Sequence, residues 1–223
     1  MSRLEKLKSK LPDYTKNEER FNMVSHIVGG GLGIVMLTLS VIFSAITKNP
    51  WTVVGCAIYG AALCIVYGVS SVYHGLNRNR AKAVMRVIDH CAIYFLIAGT
   101  YTPIIFGAIL PISPVTAWLL FSIVWGLAAL AVTLTAVDME KYSVFSMICY
   151  IGIGWSVIFA FDTLLRSMEK GGIVFLLLGG IVYSLGAILY GVGKKIKYMH
   201  SVFHLFVVMG SVLQFMCIFF YVI

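Results

Sequence analysis

Charged side chains are scarce in this sequence of 223 residues. Asp, Glu, Lys and Arg together make up 12% of it, about half of the roughly 25% that soluble domains carry. The hydrophobic fraction is 60% and the mean hydropathy is +0.94. A composition this apolar excludes a disordered chain and a cytosolic enzyme. It predicts an integral membrane protein.

Cysteines and acidic residues are also few. The five cysteines lie singly within apolar stretches, and no two have the C-x-x-C spacing, which excludes a disulfide framework and a thiolate metal site. Only 9 acidic residues oppose 17 basic ones, which gives a net charge of +8. Because these charges lie between apolar stretches and not on one face of a soluble fold, we expect no nucleic-acid partner.

Apolar stretches of about 20 residues, the length that crosses a bilayer, recur along the chain. Charges separate most of them, and Pro111 and Pro114 divide an uncharged run that is too long for one helix. The predicted spans are residues 22–46, 51–74, 88–110, 115–137, 142–165, 171–192 and 198–223. The predicted fold class is therefore all-α: an integral membrane bundle of seven transmembrane helices, forming a single domain over residues 22–223.

Basic residues are unevenly divided between the two ends of this predicted bundle. All except Lys48, Arg166 and Lys170 fall at one end, and Lys and Arg near short loops are retained in the cytoplasm. We therefore predict a cytoplasmic N-terminus and an external C-terminus. Residues 1–21 are then a cytoplasmic amphipathic segment with leucines at helical spacing. A solvated basic tail attracted to anionic lipid headgroups is the simpler interpretation of this segment.

The histidines all fall at or near the predicted cytoplasmic ends of spans. They are His26, His74, His90, His200 and His204. His200 and His204 have the i, i+4 spacing that places both imidazoles on one helix face. His74, from another helix, can supply a third ligand. Three histidines leave an open position on a tetrahedral Zn²⁺ ion, as in catalytic zinc sites.

Two further residues are candidates for catalysis. Asp89 opens the third span and is a candidate proton acceptor, because carboxylates within membrane spans are commonly functional. Its alternative role is that of a helix N-cap or of a partner for the dipole of the third span. Ser70 lies one helical turn before His74 and can contact a substrate carbonyl, although small hydroxyl residues also allow close helix packing. His26 and His90 are expected to support the site or to lie at the interface.

Four motifs resemble those of the progestin and adiponectin receptor family and its bacterial haemolysin III branch. The run ERFNMVSH at 19–26 resembles E-x-x-N-x-x-[ST]-H, and SSVYH at 70–74 resembles S-x-x-x-H. Asp89 matches the acid that opens the third span, and HSVFH at 200–204 resembles H-x-x-x-H. The resemblance implies a seven-helix fold with zinc held by His74, His200 and His204, and with Asp89 and Ser70 beside it. It also implies a multi-pass protein of the bacterial inner membrane.

Three functions stay open at this point. The first is a zinc-dependent hydrolase of a lipid amide or ester near the cytoplasmic leaflet, with a membrane acyl-lipid as substrate, as the resemblance implies. The second is a non-enzymatic sensor or homeostasis protein with a structural zinc, and the third is a haemolytic pore. Structural zinc normally has four protein ligands, which favours the first over the second. Long apolar spans with few interior charges argue against a pore.

Overall fold

Helices form the whole regular architecture of the computed structural model, which describes residues 3–47, 49–193 and 196–223. Within those ranges there are no strands. The helices are α1 (Arg3–Ser9), α2 (Lys16–Ile46), α3 (Pro50–Gly75), α4 (Arg80–Pro103), α5 (Pro114–Asp138), α6 (Ser143–Gly154), α7 (Phe161–Ser167), α8 (Lys170–Val192) and α9 (Met199–Tyr221). A π-helical segment, Ile104–Ile109, and a 3₁₀ segment, Ser156–Ala160, lie between them.

Seven helical stretches in the described chain are long and apolar enough to cross a membrane, which confirms the predicted fold class. The third span combines α4 with the π-helical segment, and the fifth combines α6, the 3₁₀ segment and α7. The third span is the most buried and packs at the centre of the bundle. The direction of the bundle across the membrane stays a prediction; Lys48, Lys194 and Lys195, which contribute to it, lie outside the described residues.

The first span begins as a helix at Lys16, six residues before the apolar stretch. Thr15 caps it: the Thr15 hydroxyl accepts the amide of Glu18 at 3.2 Å, and the Glu18 carboxylate accepts the amide of Thr15 at 2.8 Å. This reciprocal capping box satisfies two amides that a helix start leaves open. Glu18 and Glu19 therefore lie in the first turn of α2, at the end of the bundle where the histidines lie.

Prolines determine two of the span boundaries. Pro50 occupies the first turn of α3, where its missing amide hydrogen costs nothing, and the Asn49 side chain accepts the amides that follow it. Pro114 likewise occupies the first turn of α5, so the long uncharged run is divided where the sequence predicted. Pro103 ends α4, and the chain continues as the π-helical segment, in which Leu110 donates its amide to the Ile105 carbonyl at 2.8 Å.

The close packing of Gly55 in α3 against Pro103 predicts that a larger residue at position 55 lowers the stability of the bundle. A Cβ atom at Gly55 would lie 2.7 Å from Cα of Pro103 and 3.0 Å from its nitrogen. Backbone atoms cannot rotate away, so we expect Gly55→Ala to destabilise the bundle by about 1–3 kcal/mol. Gly68→Ala is the matched control: it lies in the same helix and nothing lies within 4 Å of its Cβ position. Thermal unfolding in detergent should separate the two variants, and equal melting temperatures would contradict this packing.

The fifth span is interrupted, which the sequence pattern did not predict. α6 ends at Gly154, and a 3₁₀ turn precedes α7. The Tyr101 hydroxyl occupies this break, donating to the Gly154 carbonyl at 2.7 Å and accepting the Val157 amide at 3.0 Å. One side chain from the third span thus satisfies two backbone groups that the break leaves open, which a membrane interior requires.

Residues 7–12 of the N-terminal segment pack on the bundle instead of lying free as part of a solvated tail. The side chain of Leu11 is 4% exposed and contacts Tyr73 and Ala83. Arg78 donates to the Leu11 carbonyl at 3.1 Å, and Arg86 donates to the Lys10 carbonyl at 2.7 Å. The segment is therefore held over the histidine end of α3 and α4.

Candidate metal centre

Three histidines from two helices converge at one end of the bundle. His74 lies in the last turn of α3, and His200 and His204 face it from the first two turns of α9. The distance between the Nε2 atoms is 3.2 Å for His74 and His200 and 3.1 Å for His200 and His204. A ligand atom from each lies within 4.8 Å of the other two, so this group can hold a metal ion.

The hydrogen-bond partners of the rings test whether the group fits a cation. Nδ1 of His74 lies 2.6 Å from a carboxylate oxygen of Glu19, and Nδ1 of His204 lies 3.2 Å from the Asn22 carbonyl oxygen. These oxygens only accept, which assigns a hydrogen to each Nδ1 and a lone pair to each Nε2. His200 Nε2 faces the Nε2 lone pairs of both His74 and His204, and it can donate a hydrogen to only one of them. At least one nitrogen lone pair in the group therefore has no hydrogen-bond donor. A metal ion would accept such a lone pair, so these three side chains fit a metal site.

The candidate catalytic residues lie on the wall of a cavity beside this group. Asp89 is 8% exposed, Ser70 is 1% exposed, and the two side chains interact by hydrogen bonding. Both line the cavity together with His200 and His204. α4 begins at Arg80 and is capped by Asn79, so Asp89 lies in its third turn and the alternative N-cap role is wrong.

This cavity has a volume of about 130 Å³ and an uneven lining. Asp89, His200 and His204 lie at its polar end, whereas side chains such as Ile97, Trp155 and Val207 make the remainder apolar. It reaches Gln214, ten residues beyond His204 on α9, which corresponds to roughly 15 Å along the helix axis. The shape provides an elongated apolar space that leads away from a polar end.

A second cavity of about 240 Å³ adjoins the first and shares His90 and His200 with it. Tyr14, Arg86 and Glu140 contribute to its lining. Arg86 and Glu140 form an ion pair at 3.0 Å. The second cavity is therefore more polar than the first, and it lies next to the histidine group on the side of the N-terminal segment.

Of the two remaining histidines, neither belongs to the metal-binding group found among the described residues. His26 stacks on the His204 ring with 3.7 Å between ring centroids, and His90 lies on α4 with Nδ1 at 2.8 Å from the Arg86 carbonyl oxygen. His26 therefore packs directly on one member of the group, and His90 lines both cavities.

Several residues at the site were not singled out from the sequence. Glu19 binds His74, Ser201 donates to the Asn22 side-chain oxygen at 2.6 Å, and the Tyr14 ring stacks on His200 with 5.0 Å between ring centroids. Burial raises the pKa of Tyr14 above its ordinary value, so this phenol is neutral. Glu19 and Asn22 belong to the motif at residues 19–26, so that motif could have indicated them. No sequence pattern indicated Tyr14.

Comparisons with known proteins agree on one family. The model of the family described as "Haemolysin-III related" matches residues 14–215. The "Hemolysin-3 homolog" of Bacillus subtilis is 36% identical over 93% of this chain and 96% of its own length. "Hemolysin-3" of Bacillus cereus is 33% identical over 92% of each chain. The human "Monocyte to macrophage differentiation factor" is 27% identical over 80% of this chain and 75% of its own.

Proposed function

The chain belongs to the haemolysin III-related family of multi-pass membrane proteins, and on that premise we propose that it is a zinc-dependent hydrolase of a lipid amide or ester. The observation that carries this proposal is the convergence of three imidazole side chains, with at least one ring-nitrogen lone pair left unmatched, beside the buried Asp89 carboxylate. The elongated apolar cavity that starts at this point suits an acyl chain.

Each residue has a defined role in the proposed reaction. His74, His200 and His204 hold the zinc ion, which supplies Lewis-acid polarisation of a carbonyl and lowers the pKa of water when it is bound. Asp89 accepts the proton of the attacking water and returns it to the leaving amine or alcohol. The Ser70 hydroxyl donates a hydrogen bond to the carbonyl oxygen as negative charge develops there. The products are a fatty acid and an amine or alcohol.

The number of protein ligands supports catalysis over a purely structural metal. A structural zinc site normally has four protein ligands, and the group found among the described residues has three. The first cavity, which His200 and His204 line, provides the space in which a substrate carbonyl would approach the ion that the histidines would hold. The second cavity, near Arg86 and His90, then accommodates the lipid headgroup.

Fatty-acid release from a panel of acyl-lipid amides and esters, ceramides included, tests the proposal. We expect the purified zinc-loaded protein to release fatty acid from at least one lipid, and we expect a chelator to stop the release and added zinc to restore it. Mass spectrometry quantifies the product. If the well-folded, zinc-loaded protein releases nothing from any lipid between acid and alkaline pH, the hydrolase proposal is wrong.

Haemolysis is the second candidate function, because the names of the two Bacillus relatives refer to it. A pore predicts that purified protein makes liposomes leak an encapsulated dye. Leakage that persists after replacement of the zinc-binding histidines would favour the pore over the hydrolase. Fatty-acid release without leakage would favour the hydrolase.

A further inference from the structure

A lysine lies buried next to the histidine group. The side chain of Lys82, on α4, is 5% exposed. Its ammonium donates to the carbonyl oxygens of Tyr73 and Leu76, at 3.1 and 2.9 Å, and forms an ion pair with a carboxylate oxygen of Glu19 at 2.8 Å. An ammonium has three hydrogens, and three acceptors receive them. A buried charge is tolerated only when it is paired in this way.

Glu19 connects this lysine to a metal ligand. One of its carboxylate oxygens contacts the Lys82 ammonium, and the other lies 2.6 Å from Nδ1 of His74. The side chain of His74 is fully buried, and that of Glu19 is 19% exposed. A chain of three side chains thus runs from α4 through α2 to α3, and it ends on the imidazole whose Nε2 faces the other two histidines.

The two carbonyls that Lys82 binds flank His74 in sequence. Tyr73 and Leu76 lie at the end of α3, where the last carbonyls of a helix have no intrahelical partner. The ammonium therefore fixes the backbone on both sides of His74, and the carboxylate fixes its ring. Without Lys82, the Glu19 carboxylate would lose the ammonium that pairs with it.

We propose that Glu19 and Lys82 are positioning residues for the metal. Glu19 keeps the hydrogen of His74 on Nδ1 and directs Nε2 toward the ion, and Lys82 holds the Glu19 carboxylate in place through their ion pair. This inference rests on the proposed metal site but makes a separate claim: metal affinity depends on two residues that do not touch the ion. Partners of this kind are typically worth 10- to 100-fold in affinity.

Zinc affinity, measured by competition with a chelator on detergent-purified protein, tests the proposal. We expect Glu19→Gln and Lys82→Met each to weaken zinc binding by about 10- to 100-fold. Because both act through one imidazole, the double variant should lose little more than the larger single loss. Arg20→Gln is the matched control, since Arg20 is the exposed neighbour of Glu19. It should leave the affinity unchanged.

A purely structural role for Lys82 gives a different result. It would lower the melting temperature of the metal-free protein and leave the zinc affinity of the folded protein within about threefold of the parent's, and that outcome would overturn the inference. Lys82→Gln retains an amide that can donate to the α3 carbonyls, so it provides a folded variant if Lys82→Met does not fold. A parent that binds no zinc would overturn the proposed function itself, whereas unchanged affinity in the variants overturns only this inference.

Discussion

Replacing Asp89 with asparagine is expected to lower the turnover of an acyl-lipid substrate by about 10²- to 10⁴-fold, the usual contribution of a positioned proton acceptor. Asparagine has nearly the same shape and can still interact with Ser70. It cannot accept a proton from water. We therefore expect the fold and the bound zinc to persist while the reaction stops, which steady-state release of fatty acid and metal analysis of the same sample will measure.

Asp162→Asn is the control for this substitution. Asp162 is an exposed carboxylate on α7 that pairs with Arg166 at 2.6 Å, and its side chain is 76% exposed. It contributes to neither described cavity, so turnover should equal that of the parent. If Asp89→Asn retained full turnover, Asp89 would have no part in proton transfer. If it unfolded the protein, the carboxylate would be structural.

The double substitution His200→Ala/His204→Ala is expected to reduce bound zinc from one ion per chain to none. It removes two of three ligands, and a single imidazole does not retain zinc against a chelator. Zinc supplied in excess should also raise the melting temperature of the parent, by an amount that grows with its concentration. The double variant should show no such increase. Metal analysis by mass spectrometry and thermal unfolding check the two effects.

His90→Ala is the matched control for zinc loss. His90 lines both cavities but stands outside the three-histidine group. We expect its replacement to leave one zinc ion bound. Equal zinc in the parent, the double variant and the control would contradict a site at His200 and His204 and would place the metal elsewhere in the chain.

The sequence was sufficient to predict the helical spans but not their irregularities. Span number and approximate limits follow from apolar length and from prolines such as Pro50 and Pro114, which act locally. The break after Gly154 depends on Tyr101, which is far away in sequence and satisfies the freed backbone groups. Local patterns contain no information on such a partner. The early start of α2 at Lys16 was concealed because its first turn is polar.

The sequence predicted the grouping of three histidines but not the residues that surround it. Helical periodicity alone places His200 and His204 on one face, and the shared depth of the histidines points to His74. Glu19 and Lys82 were missed because their positions at span ends look like those of ordinary interfacial charges. Only the packing of α2 against α3 and α4 brings them to His74.

X-ray absorption at the zinc edge of the purified parent identifies the atoms bound to the metal, and it is therefore the sharpest test of a three-histidine zinc site. We expect one zinc ion per chain, with histidine nitrogens at about 2.0–2.1 Å and the outer scattering pattern of imidazole rings. Sulfur ligands at about 2.3 Å, or a well-folded protein that takes up no zinc when zinc is supplied, would contradict it.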